Sequence, residues 1–322
     1  MALDLKKRVE LAEAEKNNDE FELLGHGVFD GTYKMAAKQF FEYLTDNYED
    51  YAPLLSVEDI KYIKLGGKRE KGEGKQRSLR VDEVAKLMDC QPMIDFSKSF
   101  ENSHKFWLPM LGLFTGARVN EICQLNPQAD IILDDKSGIW YFNLTNDNSG
   151  EDITKSHKNT NSKRKVPIHK KLIDCGFLDY FDKAKGLGHS RIFDGFKPVL
   201  GRASPNAEGF FSEYLNDVRL YDNKTKGKNV LGMHCLRHTF MTHTCKPFVK
   251  AGDTKVQAFS KIQPIVGHCE SFNDENGKSM AVTAGYIDMD IIADDSDNLE
   301  KLKVVIEALD YGVNFPVANA SI

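Results

Sequence analysis

The sequence predicts a mainly α-helical protein with one small antiparallel β-sheet. Apolar residues recur at helical spacing in several segments, and residues 130–144 have the strand–turn–strand pattern of a hairpin. The chain has 322 residues, of which 41% are hydrophobic, so it is long enough to bury a core and to form two domains.

The first 65 residues are expected to form a helical N-terminal region. Its clearest helix carries one apolar stripe, made of Tyr33, Ala36, Ala37, Phe40, Phe41 and Leu44. Further helices are expected over Leu3–Lys16 and from Ser56 to Ile63. Residues 66–78 are polar, charged and poor in apolar side chains, which predicts a basic linker.

Residues 79–322 are expected to form the second domain. A buried helix is predicted over Lys105–Phe114, and Gly116 ends it. Arg118 then begins a short helix that reaches about Leu125. Ahead of both, a helical stripe is predicted at Val81, Val84, Ala85 and Met88.

The small sheet follows in the chain. Two strands, Asp130–Leu133 and Ile139–Leu144, flank a turn, and Lys165–Ile168 forms a third short strand. From Leu172 the pattern returns to helix and closes with an amphipathic helix over Leu299–Leu309. This last helix either packs on its own core or docks onto a neighbouring molecule.

The charge distribution allows a DNA partner although the net charge is −5. From Lys155 to Lys171, seven of 17 residues are Lys or Arg and none is acidic. Asp288 to Glu300 has the opposite bias, with six acids and no base. A chain with segregated charge can present a cationic face to DNA, although such runs are also typical of ordinary solvated surface.

Other features of composition concern location. No apolar run approaches the roughly 18 residues of a membrane span. Six widely spaced cysteines, with no Cys-x-x-Cys pair, suit a reduced cytoplasmic protein better than a disulfide framework.

Arg118 is the first candidate phosphate ligand. It follows Gly116-Ala117 at a predicted helix start, where backbone N–H groups and the positive helix end favour an anion. Its guanidinium is a flat fork of donors that matches two phosphate oxygens. Glu121 lies one turn further on and is placed to orient it.

The segment His234-Cys235-Leu236-Arg237-His238-Thr239-Phe240 holds the next candidates. The i, i+3 spacing puts His234 and Arg237 on one helical face, from which both can reach one phosphate. A metal site is the alternative, because His234 and His238 have the i, i+4 spacing of zinc ligands. A zincin helix, however, needs Glu at the position of Cys235, so no metal is expected.

Two further candidates lie towards the C-terminus. His268, after Gly267, can stabilise the charge of a phosphoryl transition state. Tyr286 is the candidate nucleophile among eleven tyrosines, because it follows Gly267-His268 and precedes the C-terminal amphipathic helix. Guanidinium groups close to it would favour the phenolate, and a neighbouring imidazole could accept its proton. Tyr311, beyond the acidic run, is its nearest rival.

The order of these motifs resembles the tyrosine recombinases, the phage-integrase family. Gly116-Ala117-Arg118-Val119-Asn120-Glu121 is similar to the family's Gly-Ala-Arg-x-x-Glu, and residues 234–240 are similar to His-x-Leu-Arg-His-Thr-Phe. Residues 158–169 resemble the hairpin motif Lys-Thr-x-x-Ser-x-Arg-x-Val-Pro-Ile-His. His268 and Tyr286 are 18 residues apart, about twice the usual spacing, and residues 271–279 look like a looped insertion.

The resemblance implies a catalytic domain over residues 79–322 and a possible remnant of a core-binding domain over residues 1–65. It implies that Lys158, with Lys155 and Lys163 as rivals, protonates the leaving 5′ oxygen. The other hairpin cations are expected to bind DNA backbone phosphates, and this set is Lys155, Lys163, Arg164 and Lys165.

The implied activity is site-specific recombination through a 3′-phosphotyrosine, without cofactor, metal or ATP. It would serve to integrate or excise a mobile element of bacterial or phage origin. The implied partners are double-stranded DNA, a homotetramer on two duplexes and accessory DNA-bending proteins. Three alternatives stay open: a type IB-like topoisomerase, a DNA-binding protein without cleavage, and a metal-dependent hydrolase.

Overall fold

The structure is a computed structural model that describes residues 32–48, 76–144, 163–224, 228–267 and 295–318. The chain divides into two compact units, residues 1–73 and residues 74–322. The division falls inside residues 66–78, the range expected to be a linker.

The described part of the first unit is one helix, α1 (Lys34–Asn47). It confirms the helix predicted from the apolar stripe, although none of its residues is buried. Phe40 and Phe41 contact each other on this helix, with ring centroids 6.2 Å apart. The helices predicted over residues 3–16 and 56–63 lie outside the described residues.

The second unit confirms the predicted fold class. Its three strands are β1 (Ile131–Leu133), β2 (Trp140–Leu144) and β3 (Arg164–Pro167). Before them lie α2 (Val81–Met88), α3 (Gln91–Ser97), α4 (Phe100–Thr115) and α5 (Val119–Cys123). After them lie α6 (Lys170–Asp174), α7 (Phe177–Gly186), α8 (Pro205–Asp217), α9 (His234–Lys250), α10 (Lys255–Val266) and α11 (Asp295–Glu307).

The sheet is antiparallel in the order β1-β2-β3. Phe142 on β2 pairs with Ile131 and Val166, and all three side chains are buried. Because side chains alternate between the two faces of a strand, this register points every second residue of β3 towards the core. Arg164, which pairs with the buried Leu144, therefore lies on the core-facing side.

Helix α4 forms the centre of the core. All its residues from Phe106 to Thr115 are buried, as the uninterrupted apolar run predicts. The Trp107 ring stacks on Tyr180 and meets the ring of Phe177 edge to face. Helix α9 packs against α4 and α10, so the candidate residues on α9 are held by the best-buried part of the protein.

Both ends of the second unit are tied to this core. Leu79 donates its N–H to Thr239 on α9 and accepts a hydrogen bond from the ring of His243. At the other end, α11 packs against β3 and α10, with Leu302 and Ile306 buried. The final helix thus packs on its own core, one of the two arrangements expected from its amphipathic pattern. Among the described residues, no helix is long and apolar enough to cross a bilayer.

Position 116 requires a glycine, both because of its backbone conformation and because of the side chain packed against it. It ends α4 with φ +61°, and a Cβ there would collide with the Phe240 ring on α9. We expect Gly116→Ala to lower the free energy of unfolding by about 2–4 kcal/mol, from overpacking and left-handed strain together. Urea denaturation measures this loss.

Gly138→Ala is the matched control for Gly116→Ala. Gly138 has φ +67°, yet a Cβ added at Gly138 would meet no other atom within 4 Å. Only backbone strain is expected, so the cost should be about 1 kcal/mol. Equal losses in the two variants would show that the contact with Phe240 contributes nothing.

His104 makes stability depend on pH. Burial, assisted by the charge of Lys105, lowers the pKa of His104 to about 4, and its ring packs edge to face on Phe196. An unfolded histidine titrates near pH 6.5, so the unfolded state binds more protons below that pH. The neutral, buried His104 therefore makes its full contribution to stability above about pH 6.5. This contribution is lost as the pH falls towards 4.

We expect His104→Gln to flatten the pH dependence of unfolding over this range. The slope due to His104 is at most about 1.4 kcal/mol per pH unit. Urea denaturation at pH 7, 6 and 5 measures it for both proteins. Some slope will remain, because burial also lowers the pKa of His169 and His238. Identical slopes in the two proteins would contradict the assignment to His104.

Candidate active site

The structure describes more than half of the predicted site residues. Arg118, His234 and Arg237 are described, together with Lys163, Arg164 and Lys165 on or beside β3. The remaining four, Lys155, Lys158, His268 and Tyr286, lie outside the described residues.

Arg118 stands at the N-cap of α5 and is held by Glu121. Its backbone N–H donates to Glu121 Oε2 at 2.8 Å, and its Nη1 donates to Oε1 at 3.0 Å. The carboxylate thus occupies the helix start where the sequence suggested a phosphate. The Arg118 side chain keeps 26% of its surface exposed, whereas the Glu121 side chain that binds it keeps only 2%.

Arg164 occupies the other side of the same carboxylate. Its Nη2 lies 2.8 Å from Glu121 Oε2 and its Nη1 lies 3.3 Å from Oε1. Its Nε donates to the carbonyl of Ile265 at 2.6 Å. With 5% of its side chain exposed, Arg164 lies in a different setting from the DNA-backbone contact expected for it.

Arg237 is the most buried of the three arginines, with 1% exposed. Its Nη1 donates to the carbonyl of Gly116 at 2.5 Å, and its Nη2 donates to the carbonyl of Val266 at 2.7 Å. It therefore joins the end of α4 to the end of α10, and its positive charge is brought close to the segment that carries Arg118.

These contacts form a closed cluster. We call Arg118, Arg164, Arg237 and Glu121 the arginine cluster. The guanidinium groups of Arg118 and Arg164 bind the Glu121 carboxylate, and Arg237 joins the cluster through the carbonyls of Gly116 and Val266. Among these four residues, the positive side chains outnumber the carboxylate by two. Because part of the cluster is buried, this charge is less screened than on an open surface, and the exposed edge at Arg118 favours an anion.

The cluster brings together segments that are distant in the sequence. Residues 116–118, β3 and the end of α10 all meet within hydrogen-bond distance of its side chains. Arg237 thus hydrogen-bonds to a residue two positions before Arg118. The chain continues from Gly267, at the end of α10, directly into His268.

His234 is the first residue of α9 and is exposed to solvent. Its ring meets the ring of His238 edge to face, with centroids 4.7 Å apart. Burial and the charge of Arg237 lower the pKa of His238, which favours its neutral form at pH 7. His234 therefore lies at the surface, one helical turn from Arg237, and its ring contacts the neutral imidazole of His238.

Tyr311 is excluded as a nucleophile. Its hydroxyl donates to the carbonyl of Leu113 at 2.7 Å, and burial raises the pKa of Tyr311 well above its usual value. Tyr180 and Tyr214 likewise donate to backbone carbonyls inside the core. The rival to Tyr286 named from the sequence thus serves packing and hydrogen bonding.

The lysines beside Arg164 are more accessible. Lys163 is exposed, and Lys165 places its Nζ 5.4 Å from the centre of the Tyr141 ring. His169 has a structural contact, because its Nε2 donates to the carbonyl of Leu309 at 3.0 Å. Among the described residues, no three His, Cys, Asp or Glu side chains are grouped to hold a metal ion.

The interior role of Arg164 was missed from the sequence. The available signal was its spacing, since Arg164 and the buried Val166 are two residues apart on one strand and share a face. Its carbonyl partner, Ile265, lies 101 residues away in the chain, and no sequence pattern predicted that contact.

The chain matches no protein-family model and no curated protein sequence. Several solved structures are similar to this chain at low sequence identity. An integrase from mycobacterium phage Brujita is 16% identical with a TM-score of 0.43, covering 96% of this chain and 79% of that one. XerH site-specific recombinase bound to palindromic difH substrate is 19% identical with a TM-score of 0.46, covering 84% and 68%.

A lambda integrase dimer bound to a COC′ core site is also similar, with 15% identity and a TM-score of 0.40 over 88% of this chain and 72% of that one. These structures are integrases and site-specific recombinases, the class that the motifs resemble.

Glu121 can be tested by removing its charge. Glu121→Gln leaves Arg118 and Arg164 without their shared counter-charge, and breaking a buried ion pair this way costs about 3–5 kcal/mol. We expect the free energy of unfolding in urea to fall by that amount. Asp95→Asn is the control, because Asp95 and Lys98 form a solvent-exposed pair whose loss should leave the urea midpoint unchanged. Similar midpoints for the two variants would contradict the central place of Glu121.

Proposed function

We propose that this chain is a site-specific DNA recombinase of the tyrosine recombinase family. The observation that supports the proposal is the arginine cluster, in which Arg237 on α9 donates to the carbonyl of Gly116, two residues before Arg118. A surplus of positive charge with one partly exposed arginine suits a phosphodiester, whose charge increases in the transition state of cleavage.

The proposed reaction has two transesterifications. The Tyr286 oxygen attacks a DNA phosphorus atom, and the bond from phosphorus to the 5′ oxygen breaks. The phenolic proton passes to a neighbouring imidazole, and Lys158 gives a proton to the departing 5′ oxygen. The products are a 3′-phosphotyrosine and a free 5′-hydroxyl. The 5′-hydroxyl of a partner strand then attacks the phosphotyrosine and releases Tyr286, so no ATP or metal is consumed.

The arginines and histidines have distinct roles in this proposal. Arg118 presents its exposed guanidinium to the phosphate. Arg237 is buried, and its positive charge stabilises the phosphate from close by. Its two hydrogen bonds hold the ends of α4 and α10 together. His234 and His268 donate to non-bridging oxygens.

The substrate and assembly are part of the same proposal. The partner is double-stranded DNA, which Lys155, Lys163 and Lys165 contact through backbone phosphates without reading sequence. The active form is a homotetramer on two duplexes, assisted by DNA-bending proteins. Its task is to integrate or excise a mobile element, in the cytoplasm of a bacterial host.

A suicide substrate with a nick next to the cleavage site tests the proposal. The wild-type protein should become covalently attached to DNA, also in excess chelator, and mass spectrometry should find the adduct on Tyr286. Tyr286→Phe should bind the same DNA and form no adduct, because it lacks the attacking oxygen. Tyr311→Phe is the control and should still form the adduct, since that hydroxyl is buried in the core.

The same assay separates the other functions. No adduct from the wild-type protein would indicate a DNA-binding protein without cleavage. An adduct that persists in Tyr286→Phe would move the nucleophile elsewhere. Dependence on a metal would indicate a hydrolase, and relaxed supercoils without recombined DNA would indicate a topoisomerase.

A further inference from the structure

Arg164 lies where three segments of the proposed active site meet. It belongs to β3, which lies within the basic segment from Lys155 to Lys171. Its terminal nitrogens reach the Glu121 carboxylate that also holds Arg118. Its Nε reaches the carbonyl of Ile265, near the end of α10. The Arg164 side chain thus links β3 with the Glu121 carboxylate and with the end of α10.

The end of α10 is packed directly on the Arg164 guanidinium. Gly267 ends this helix with φ +64°, and a Cβ at Gly267 would lie 2.9 Å from Arg164 Nη1. No side chain fits there without displacing the guanidinium. The position of the end of α10 therefore depends on where Arg164 lies.

The setting of Arg164 does not suit a DNA contact. Its side chain is 5% exposed, and its donors are directed to a carboxylate and a carbonyl in the interior. To reach a phosphate it would have to leave Glu121, which would then be a buried carboxylate with one counter-charge fewer. A lysine could not replace it, because a single ammonium lacks the fixed fork that spans both partners.

We propose that Arg164 is a positioning residue that holds Arg118, β3 and the end of α10 relative to one another, and that it does not bind DNA. It acts on Arg118 through Glu121 and on the end of α10 through Ile265 and Gly267. This inference rests on the proposed recombinase function for its catalytic consequence, but the contacts themselves can be tested without activity.

The test compares Arg164→Met with Arg202→Met. Arg202 is an exposed arginine in the turn before α8, so this control removes one charge without disturbing the cluster. Two quantities are measured: DNA affinity as a function of salt, and single-turnover adduct formation at saturating DNA. For Arg164→Met we expect unchanged affinity and salt dependence but adduct formation slower by about 10- to 100-fold, because the site is misplaced. Arg202→Met should match the wild type in adduct formation.

The opposite result is expected if Arg164 binds a DNA phosphate. Its loss would weaken DNA binding and lower the slope of log affinity against log salt by about one, with adduct formation at saturating DNA unchanged. That outcome for Arg164→Met would overturn the proposal. Arg164→Lys should keep the defect of Arg164→Met, and full activity in Arg164→Lys would likewise overturn it.

Gly267→Ala gives an independent test if Arg164→Met does not fold. The added methyl group presses on the guanidinium from the α10 side and leaves every charge in place. We expect the same slow adduct formation with unchanged DNA affinity. Adduct formation within about twofold of the wild type would show that the placement of Arg164 does not matter for the site.

Hydrogen exchange separates this proposal from the proposed function. The Gly267 amide donates to the carbonyl of Gln263 at 2.9 Å and should be protected in the wild type. We expect Arg164→Met to lose protection at residues 263–267, whether or not the wild type forms an adduct with DNA. Unchanged protection there would overturn the positioning role even in an active recombinase.

Discussion

A buried carboxylate shared by two arginines is the interaction on which the site depends. Glu121 is 2% exposed and binds the backbone and side chain of Arg118 on one side and the guanidinium of Arg164 on the other. A carboxylate so deeply buried requires cationic partners, because burial without them is costly. The same requirement holds α5 against β3, while the Arg118 side chain stays partly exposed.

The three arginines of the arginine cluster differ in their hydrogen-bond partners and in their exposure. Arg237 and Arg164 direct their donors to the carbonyls at the end of α10 and, for Arg237, also to Gly116. Only Arg118 keeps a substantial exposed surface. A cluster of this kind presents one partly exposed arginine on a frame of two buried ones, so its geometry is set before any anion binds.

The sequence predicted the elements of the second unit well because their patterns are local. The uninterrupted apolar run identified α4, and turn residues between two short strands identified the hairpin of β1 and β2. Strand ends differed by one residue, with β3 beginning at Arg164 and not at Lys165. The N-cap role of Arg118 and its contact with Glu121 followed from the i, i+3 spacing within one helical turn.

The sequence by itself determined which side chains can do the chemistry and in what order they occur, because identity and short spacing are local properties of a chain. The tertiary structure decided which of them are accessible. It buried Tyr311 and Arg164, left His234 at the surface, and brought Gly116 and Val266 onto one guanidinium. Those outcomes depend on contacts between residues more than a hundred positions apart or on the packing of α4, α9 and α10 around a common core, and no local pattern encodes them.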